Sequence, residues 1–589
     1  MPLEPLAAVH AAASLLFRLS SCLFLRVVPS PLALKALGVF ALAYFTTIPF
    51  LPASNSTTPE TRPYRAVALS LPSQLRANLA LNGLLLLMVL EYIATPFLDP
   101  ATNLSFSRVG AVSSSTAKIS VRSLDAAQLL YREFRPEGTE LSWKSGPTLS
   151  FSPEEDFVST AKLSGLWPNT TYEYAVADVN RTVVSGPFAF QTFPDARLST
   201  GSHFRFVASS CIQPAFPYLP FHGRKIKGFD QLAHYLFPEP ETQAAPLAQF
   251  LLFLGDFIYS DVPVKIADDK DAYARLYRRN YQSPSFRKVY ERLPIFHTYD
   301  DHEIENNFIG AGLDPAPYTN ASAAYEIYNH NANFDAPKDQ HYYSFTYADV
   351  AFFVMDTRRY RSGSEVEAPT MLGETQLAAL HAWLSHANNT ASFKFIVSSV
   401  PFTSLWGGDA SSDSWAGYAA EKASILEALH SVPNVIIISG DRHEFASIEY
   451  ASETLHPVHE YSTSPLNAFD IPFIRTLKKA SDETVPRLQR VLSEEGEETT
   501  EVVQVPKERV LKYLARGNTK WSSFEVDTTN LTQPILRIEL SIGGKVRYTE
   551  EIIGAPVKLQ VSNAIGAFVT TGIREVFQKI GLGNPSRWF

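Results

Sequence analysis

Cysteine is nearly absent: Cys22 and Cys211 are the two in a chain of 589 residues. That shortage excludes a disulfide-stapled fold. Cys22 falls in an apolar N-terminal run, so a membrane placement leaves Cys211 without a partner and in need of another reason to exist. Positive charge is also short, with 51 Lys and Arg against 60 Asp and Glu and a formal net charge of −9. This argues against a nucleic-acid-binding surface, which needs a basic patch. No glycine-rich phosphate loop and no dinucleotide fingerprint occur, so nucleotide-cofactor chemistry has no support. What the chain does hold is bulk: 45% hydrophobic and 12% aromatic residues, over a length that calls for at least two domains.

Residues 1–100 read as a membrane-anchor region. "ALGVFALAYFTTIPFL" (36–51) is uncharged, and "ANLALNGLLLLMVL" (77–90) continues past Glu91 to Leu98. Each approaches the roughly 20 residues that cross a bilayer. A third run, 11–28, carries Arg18 and Arg26 and reads as interfacial or as a poor span. The competing reading is a cleaved signal or a pair of buried core helices. The linker holds Arg62, Arg65 and Arg76 against Glu60, which leans cytosolic by the positive-inside rule. The rest of the chain is then expected in the lumen or outside the cell, membrane-anchored in the secretory pathway. N-x-S/T triplets at Asn103, Asn169, Asn180, Asn320, Asn388 and Asn530, with Asn55 in the linker, favour a glycoprotein.

Residues 101–196 alternate polar and apolar positions in short runs such as "TAKISVRS" and "TTYEYAVA", the pattern of a small β-sandwich. "LSGLWPNTTYEYAV" (163–176) resembles the fibronectin type III signature, a Leu-x-Pro turn before a Tyr-x-Tyr strand. From 203 to 555 the texture is α/β: the apolar strands "FRFVAS", "QFLLFLG", "LPIFHTY", "VAFFVMD", "FKFIVSS" and "NVIIISG" alternate with helical stretches. One helix is expected over 372–387, with Leu377, Leu380 and Leu384 on its apolar face. About 476–512 an acidic insert containing "SEEGEETTE" reads as solvated and disordered. An amphipathic tail closes the chain over 556–589.

Four strands end in polar clusters. "FLLFLGDFIY" delivers Asp256 and Tyr259, "IFHTYDDHEIENN" delivers Asp300, Asp301, His302 and Glu303, "VIIISGDRHE" delivers Asp441 and His443, and "RFVASSC" delivers Cys211. The carboxyl ends of α/β strands are where such sheets gather their sites. Converging carboxylates repel and raise one another's pKa values, and bound cations remove that repulsion. Taken singly, each cluster has a bland reading: surface or capping chemistry for an Asp-His pair, a small buried hydrophobe for Cys211. Four together, each after a buried strand, point to a metal site.

The order "GDFIY … YDDHEIENN … DTRRYRS … GDRHE", with "LGETQ", "WAGY" and "EYSTSPL", resembles the PhoD family of alkaline phosphatases, a branch of the binuclear metallophosphatases. The resemblance covers roughly 101–550 and leaves out the membrane-like runs and the acidic insert. It implies a four-layer α/β/β/α fold behind the fibronectin-like sandwich, and a site holding Fe3+ together with Ca2+. Carried across, Cys211, Asp256, Tyr259 and His443 hold the iron, and Asp256, Asp301 and Asp441 serve the calcium side. Thiolate and phenolate suit a ferric ion, and oxygen ligands suit Ca2+. His302 falls where those enzymes set a histidine near the leaving group, with support of Asp301 as its alternative role. Arg358, Arg359 and Arg361 are candidates to neutralise phosphate oxygens or to pair with Asp356, with Arg358 and Arg361 preferred. Asn306 and Asn307 are further substrate-binding candidates.

The implied activity is phosphoric ester hydrolysis by a metal-activated hydroxide, since no serine nucleophile has a persuasive setting. Two rivals stand beside it: a phosphodiesterase or phospholipase-type hydrolase on the same site, and an inactive membrane-tethered binding protein. No protein partner is implied.

Overall fold

The computed structural model describes residues 5–51, 63–70, 74–125, 127–134, 141–197, 201–238, 247–408, 413–452, 456–470, 475–492 and 498–557. The expected C-terminal tail falls, beyond residue 557, outside the described residues.

Among the described residues, three N-terminal helices are long and apolar enough to cross a membrane: Pro5–Arg26, Pro31–Phe50 and Leu75–Leu98. The first is the run that its two arginines made doubtful. Arg18 does not disqualify it, because the guanidinium is satisfied inside the bundle. Its Nε donates to Asn82 Oδ1 at 2.7 Å, Nη2 to Asn78 Oδ1 at 3.0 Å and Nη1 to the Val67 carbonyl at 2.6 Å. A charge met by neighbouring helices is the form in which ionisable residues persist at membrane depth. The other arginine, Arg26, ends the helix and donates to the Tyr218 carbonyl at 2.9 Å. Phe17, Phe24, Leu37, Val89 and Tyr92 of the three helices pack in one cluster with Ala215 and Tyr218 of the globular part. The bundle is therefore seated on the body of the protein. Gly223 permits the approach: a Cβ there would sit 2.6 Å from Thr95 Cγ2.

Residues 106–191 form a three-stranded sheet (Phe106–Val112, Thr116–Arg122, Val158–Ser164) and a four-stranded sheet (Lys144–Leu149, Ala127–Glu133, Thr171–Ala177, Val183–Gln191). Their strands pair antiparallel throughout.

Two larger sheets carry the site. The six-stranded one runs Ile295–Thr298, Ala248–Leu254, His203–Ser209, Lys520–Asp527, Ile535–Ile542, Lys545–Ile553, its first three strands parallel. The seven-stranded one runs Tyr343–Tyr347, Val350–Val354, Phe393–Val397, Val435–Ser439, Val458–Thr463, Phe445–Tyr450, Glu508–Leu514, with four parallel strands at its centre. The period-2 alternation of side chains explains why the sheets face each other. Phe204 and Phe206 of "FRFVAS" enter the cluster that also holds Phe352, Phe395 and Ile438 of the other sheet, whereas Val207 points to a second cluster with Phe229, Tyr273 and Phe286 from helices. Phe206 lies 5.3 Å from Phe352 and 5.1 Å from Phe395, both edge to face, a favoured arrangement of aromatic quadrupoles. The helix expected over 372–387 spans Gly373–Thr390, with Leu380 and Leu384 buried.

Residues 493–497 of "SEEGEETTE" lie outside the described residues; the described parts of 476–512 depart from the disordered reading. Thr484–Leu492 and Glu498–Pro506 pair as an antiparallel ribbon, and Glu508–Leu514 becomes the outermost strand of the seven-stranded sheet. Backbone pairing supplies the order that its polar composition hides.

Candidate metal centre

Parallel strands of both sheets end at one place. Cys211 follows His203–Ser209, Asp256 follows Ala248–Leu254, Asp300 to His302 follow Ile295–Thr298, and Asp441 and His443 follow Val435–Ser439. The backbone there is bent on purpose: Cys211, Asp256, Asp441 and His443 all take positive φ, at 61°, 55°, 69° and 55°. Left-handed backbone in non-glycine residues costs on the order of 1–3 kcal/mol each and clusters at functional sites. Gly255, at φ +102°, is required next to Asp256, since a Cβ would come within 2.6 Å of Asp300 Cβ. Glu303 braces the turn. Its carboxylate accepts the backbone N–H of Asp256 at 2.9 Å and of Asp300 at 2.8 Å.

The ligand atoms meet in overlapping groups within 4.8 Å: Cys211, Asp256 and His443; Asp256, Asp301 and His302; Asp256, Asp300, Asp301 and Asp441. Asp256 belongs to all of them. Its Oδ2 lies 3.2 Å from Cys211 Sγ and 3.1 Å from the Tyr259 hydroxyl, and that hydroxyl lies 2.9 Å from His443 Nε2. Asp256 Oδ1, Asp300 Oδ2, Asp441 Oδ2 and His443 Nδ1 are buried without a partner.

The protonation tendencies carry the same message. Burial, then the fields of Asp301, Asp300 and Glu303, push the Asp256 carboxyl well above its usual range. Burial and the nearby carboxylates do the same to Asp441. Burial and Asp256 raise the Cys211 thiol, against the hydroxyls of Ser210 and Ser464. Burial and Lys520 drive His443 well below its usual value. Buried, crowded acids and a neutral imidazole are what a cation converts into ligands. The donors divide into a thiol, phenol and imidazole side and an all-carboxylate side, so the residues present fit two cations of unlike softness.

The centre opens into a cavity of about 230 Å3 lined by Asp301, His302, Asn306, Asn307, Asp413, Arg442 and others. His302 Nδ1 lies 2.7 Å from Asp261 Oδ1, so the ring donates there and keeps Nε2 free of that bond. Burial opposes its charge, but the Asp261, Asp301 and Asp256 carboxylates hold the imidazole well above its ordinary pKa. Asn306 and Asn307 are exposed on the wall; their backbone N–H groups donate to Asp261 at 2.9 Å and to Asp301 at 2.6 Å.

The arginines expected to face phosphate do not line this cavity. Arg358 is fully buried, bonded to Asp300 at 2.5 Å and to Asp413 at 2.6 and 3.2 Å. Arg361 is buried against Asp413 at 2.8 Å and the Tyr418 hydroxyl at 2.9 Å. Arg359 pairs with Asp314 at 2.6 Å, and none of the three side chains pairs with Asp356, which instead accepts the backbone N–H of Arg358 and Arg359. The arginine on the wall is Arg442, between Asp441 and His443, with its Nε unpartnered. Sequence reading passed over it, over Asp413 and over Asp261. Arg442 had a signal, its position inside "GDRHE"; Asp413 and Asp261 had none.

Comparison with known proteins bears on this centre. Residues 236–520 match the family described as PhoD-like phosphatase. That match spans just under half of the chain. The chain is similar to alkaline phosphatase D of Bacillus subtilis (strain 168), 23% identical over 365 residues, which cover 53% of this chain and 56% of that relative. The match thus spans little more than half the length of that relative. In fold, the chain is similar to the solved structure of PhoD, with a TM-score of 0.54 and 16% identity, over 79% of this chain and 93% of that one. It is also similar to a purple acid phosphatase from yellow lupin (Lupinus luteus) seeds, with a TM-score of 0.51 and 13% identity, over 77% and 74% of the two chains. The PhoD-like match covers Asp256 through His443; Cys211 lies outside it.

Proposed function

We propose that this protein is a membrane-anchored phosphoric ester hydrolase. The observation that carries the reading is the sharing of Asp256 by a thiol–imidazole group and a carboxylate group, so that one carboxylate would serve two neighbouring cations. Cys211, Asp256, Tyr259 and His443 would hold Fe3+, and Asp256, Asp301 and Asp441 would hold Ca2+, with the spare oxygen of Asp300 beside them. When bound, such a pair supplies Lewis acidity and a nucleophilic water at neutral pH.

The chain's own residues do the rest. Arg442 on the cavity wall offers a charge-assisted bond to a phosphate oxygen, and Asn306 and Asn307 offer polar contacts at the rim. The Asp261 carboxylate orients the His302 ring and favours its protonated form, so that it would donate its proton to the leaving oxygen. Arg358 and Arg361 act as positioning residues, holding Asp300 and Asp413 in the wall. Around this site, we read 203–555 as a four-layer α/β/β/α domain with 101–196 as a fibronectin type III-like sandwich. The helix ends at Arg26, Pro31 and Leu98 share the side of the globular part, so the opposite helix ends, where Arg65 and Arg76 lie, would face the cytosol. The catalytic domain is then extracellular or luminal, where Asn103, Asn169, Asn180, Asn320 and Asn530 are exposed for glycosylation.

The test is hydrolysis of nitrophenyl phosphate and its bis ester by the full chain, with elemental analysis, in wild type, Asp256→Asn and Cys211→Ala. Turnover and two metals in the wild type, both lost in Asp256→Asn, are expected. A metal-free wild type that stays inactive after reconstitution sinks the hydrolase reading and favours the binding protein. Preference for the bis ester assigns the site to diesters.

A further inference from the structure

A second pocket lies where the third long helix meets the globular part. It is lined by Glu91, Tyr92 and Thr95 of that helix and by Gln213, Tyr218 and Arg279 of the body, among others. Its polar groups are incompletely used. Gln213 is 4% exposed, and beyond the neighbouring Tyr92 hydroxyl neither its Oε1 nor its Nε2 has a partner. Arg279 is 6% exposed; Nη2 reaches the Gly223 carbonyl at 3.2 Å and Nε has no partner. Burial lowers its pKa to about 10, with only partial compensation from Asp99, whose carboxylate is already bonded to Arg224 at 2.6 Å. A buried guanidinium with an idle N–H calls for an anion. Glu91, in the same lining, supplies the opposite need: its Oε1 receives the Thr95 hydroxyl at 3.4 Å, its Oε2 is buried, and the Tyr218 hydroxyl is the other group that meets the carboxylate. A carboxylate near the end of a membrane-type helix is a functional-site candidate in its own right.

Apolar groups flank these residues in the chain. Leu98 is 79% exposed, Leu219 49% and Phe221 93%. Polar atoms inside and apolar side chains beside them match a molecule with a charged head and an oily tail, as expected where a bilayer meets water.

We propose that this pocket holds the headgroup of a zwitterionic phospholipid carrying a primary ammonium, its phosphate on Arg279 and Gln213 and its ammonium on Glu91. The proposal rests on the membrane-anchored reading. The pocket is distinct from the hydrolytic cavity: Tyr259 lines it, yet Asp301, Arg442 and His443 do not. The bound lipid is a structural ligand that fixes the catalytic domain on the membrane surface.

The experiment measures the thermal midpoint of the full chain in detergent micelles with dihexanoylphosphatidylethanolamine, dihexanoylphosphatidylglycerol or inorganic phosphate. A ligand of the native state raises the midpoint in proportion to its occupancy. The ethanolamine lipid is expected to raise it by several degrees and the glycerol lipid by less. Arg279→Gln abolishes both shifts, and Glu91→Gln brings the ethanolamine shift down to the glycerol level. Inorganic phosphate, acting at the hydrolytic cavity, shifts wild type and Arg279→Gln alike. If Arg279→Gln fails to fold, Glu91→Gln still decides, because equal response to both lipids in wild type and Glu91→Gln overturns the proposal. A phosphate shift that falls in Arg279→Gln means that the pocket takes free phosphate, and also overturns it. Flotation with liposomes separates the two readings: a chain that does not float ends the membrane reading itself, whereas one that floats but shows no lipid selectivity ends only this inference.

Discussion

The Tyr259 hydroxyl lies 2.9 Å from Nε2 of His443, 184 positions away in the chain, and 3.1 Å from Asp256 Oδ2. Burial, then Asp256 and Cys211, raise its pKa well above the ordinary value, so the phenol keeps its proton unless a cation takes its place. Tyr259→Phe retains the ring, which stacks on His302 with centroids 4.3 Å apart, and removes one ligand. The expected result is loss of iron by elemental analysis and loss of visible phenolate-to-metal absorption, with the far-ultraviolet circular dichroism unchanged. A variant that keeps both metal and colour removes Tyr259 from the ligand set.

Arg442 and Arg358 separate binding from bracing. Arg442→Ala removes a charge from the cavity wall and is expected to lower kcat/KM by about 100-fold, the scale for one transition-state donor, with little change in the thermal midpoint. Arg358→Ala leaves Asp300 as an uncompensated buried charge and Asp413 with Arg361 alone, at a cost of about 3–5 kcal/mol. Its denaturation midpoint falls. Kinetics and denaturant unfolding on the two variants decide the assignment, and the reverse pattern exchanges the roles.

Gly255→Ala tests the backbone beneath the bridging carboxylate. At φ +102°, with Asp300 Cβ at 2.6 Å from the new methyl, the substitution adds about 1–3 kcal/mol of strain and displaces Asp256. Metal content is expected to fall before stability does, as read by elemental analysis along a thermal series. Full metal content with wild-type stability would show that the turn has room.

Lys394 gives a pH dependence remote from the metal centre. It is fully buried in the strand Phe393–Val397, with Nζ donating to the Pro433 carbonyl at 3.1 Å. Burial lowers its pKa from 10.5 to about 7. Between these values the unfolded chain binds the extra proton, so this residue makes stability rise with pH from about 7 to 10.5. Lys394→Met abolishes that penalty. Its gain in denaturation midpoint is expected to be largest at pH 7, worth a few kcal/mol at most, and to vanish near pH 10.5. A gain that does not change with pH contradicts this assignment.

Local pattern and non-local contact contributed different parts of this protein. The apolar runs that become the parallel strands are legible because a doubly covered strand needs continuous hydrophobicity, and the residue after each run is legible as a site residue because strand ends converge. Cys211, Asp256, Tyr259, Asp301, Asp441 and His443 were named that way, and the structure brings them together. The pairing of Arg358 with Asp413 and of His302 with Asp261 left no trace in the chain, because each joins loops more than 40 residues apart. The pairing of 484–492 with 498–506 was hidden for a related reason: ribbon pairing is a backbone property that charged side chains neither require nor advertise.

Sequence by itself thus determined the chemical inventory: two apolar spans and a doubtful third, two sets of strands and a metal-competent set of side chains. Tertiary structure decided which arginine faces the cavity, which histidine nitrogen is spoken for, and that Arg18 is satisfied by Asn78 and Asn82 inside a helical bundle. It also set the polar pocket of Glu91 and Arg279 against the body of the protein. The physical reason is that propensity and periodicity act over a few residues, whereas a buried charge is stable only with partners that any distant part of the chain can supply.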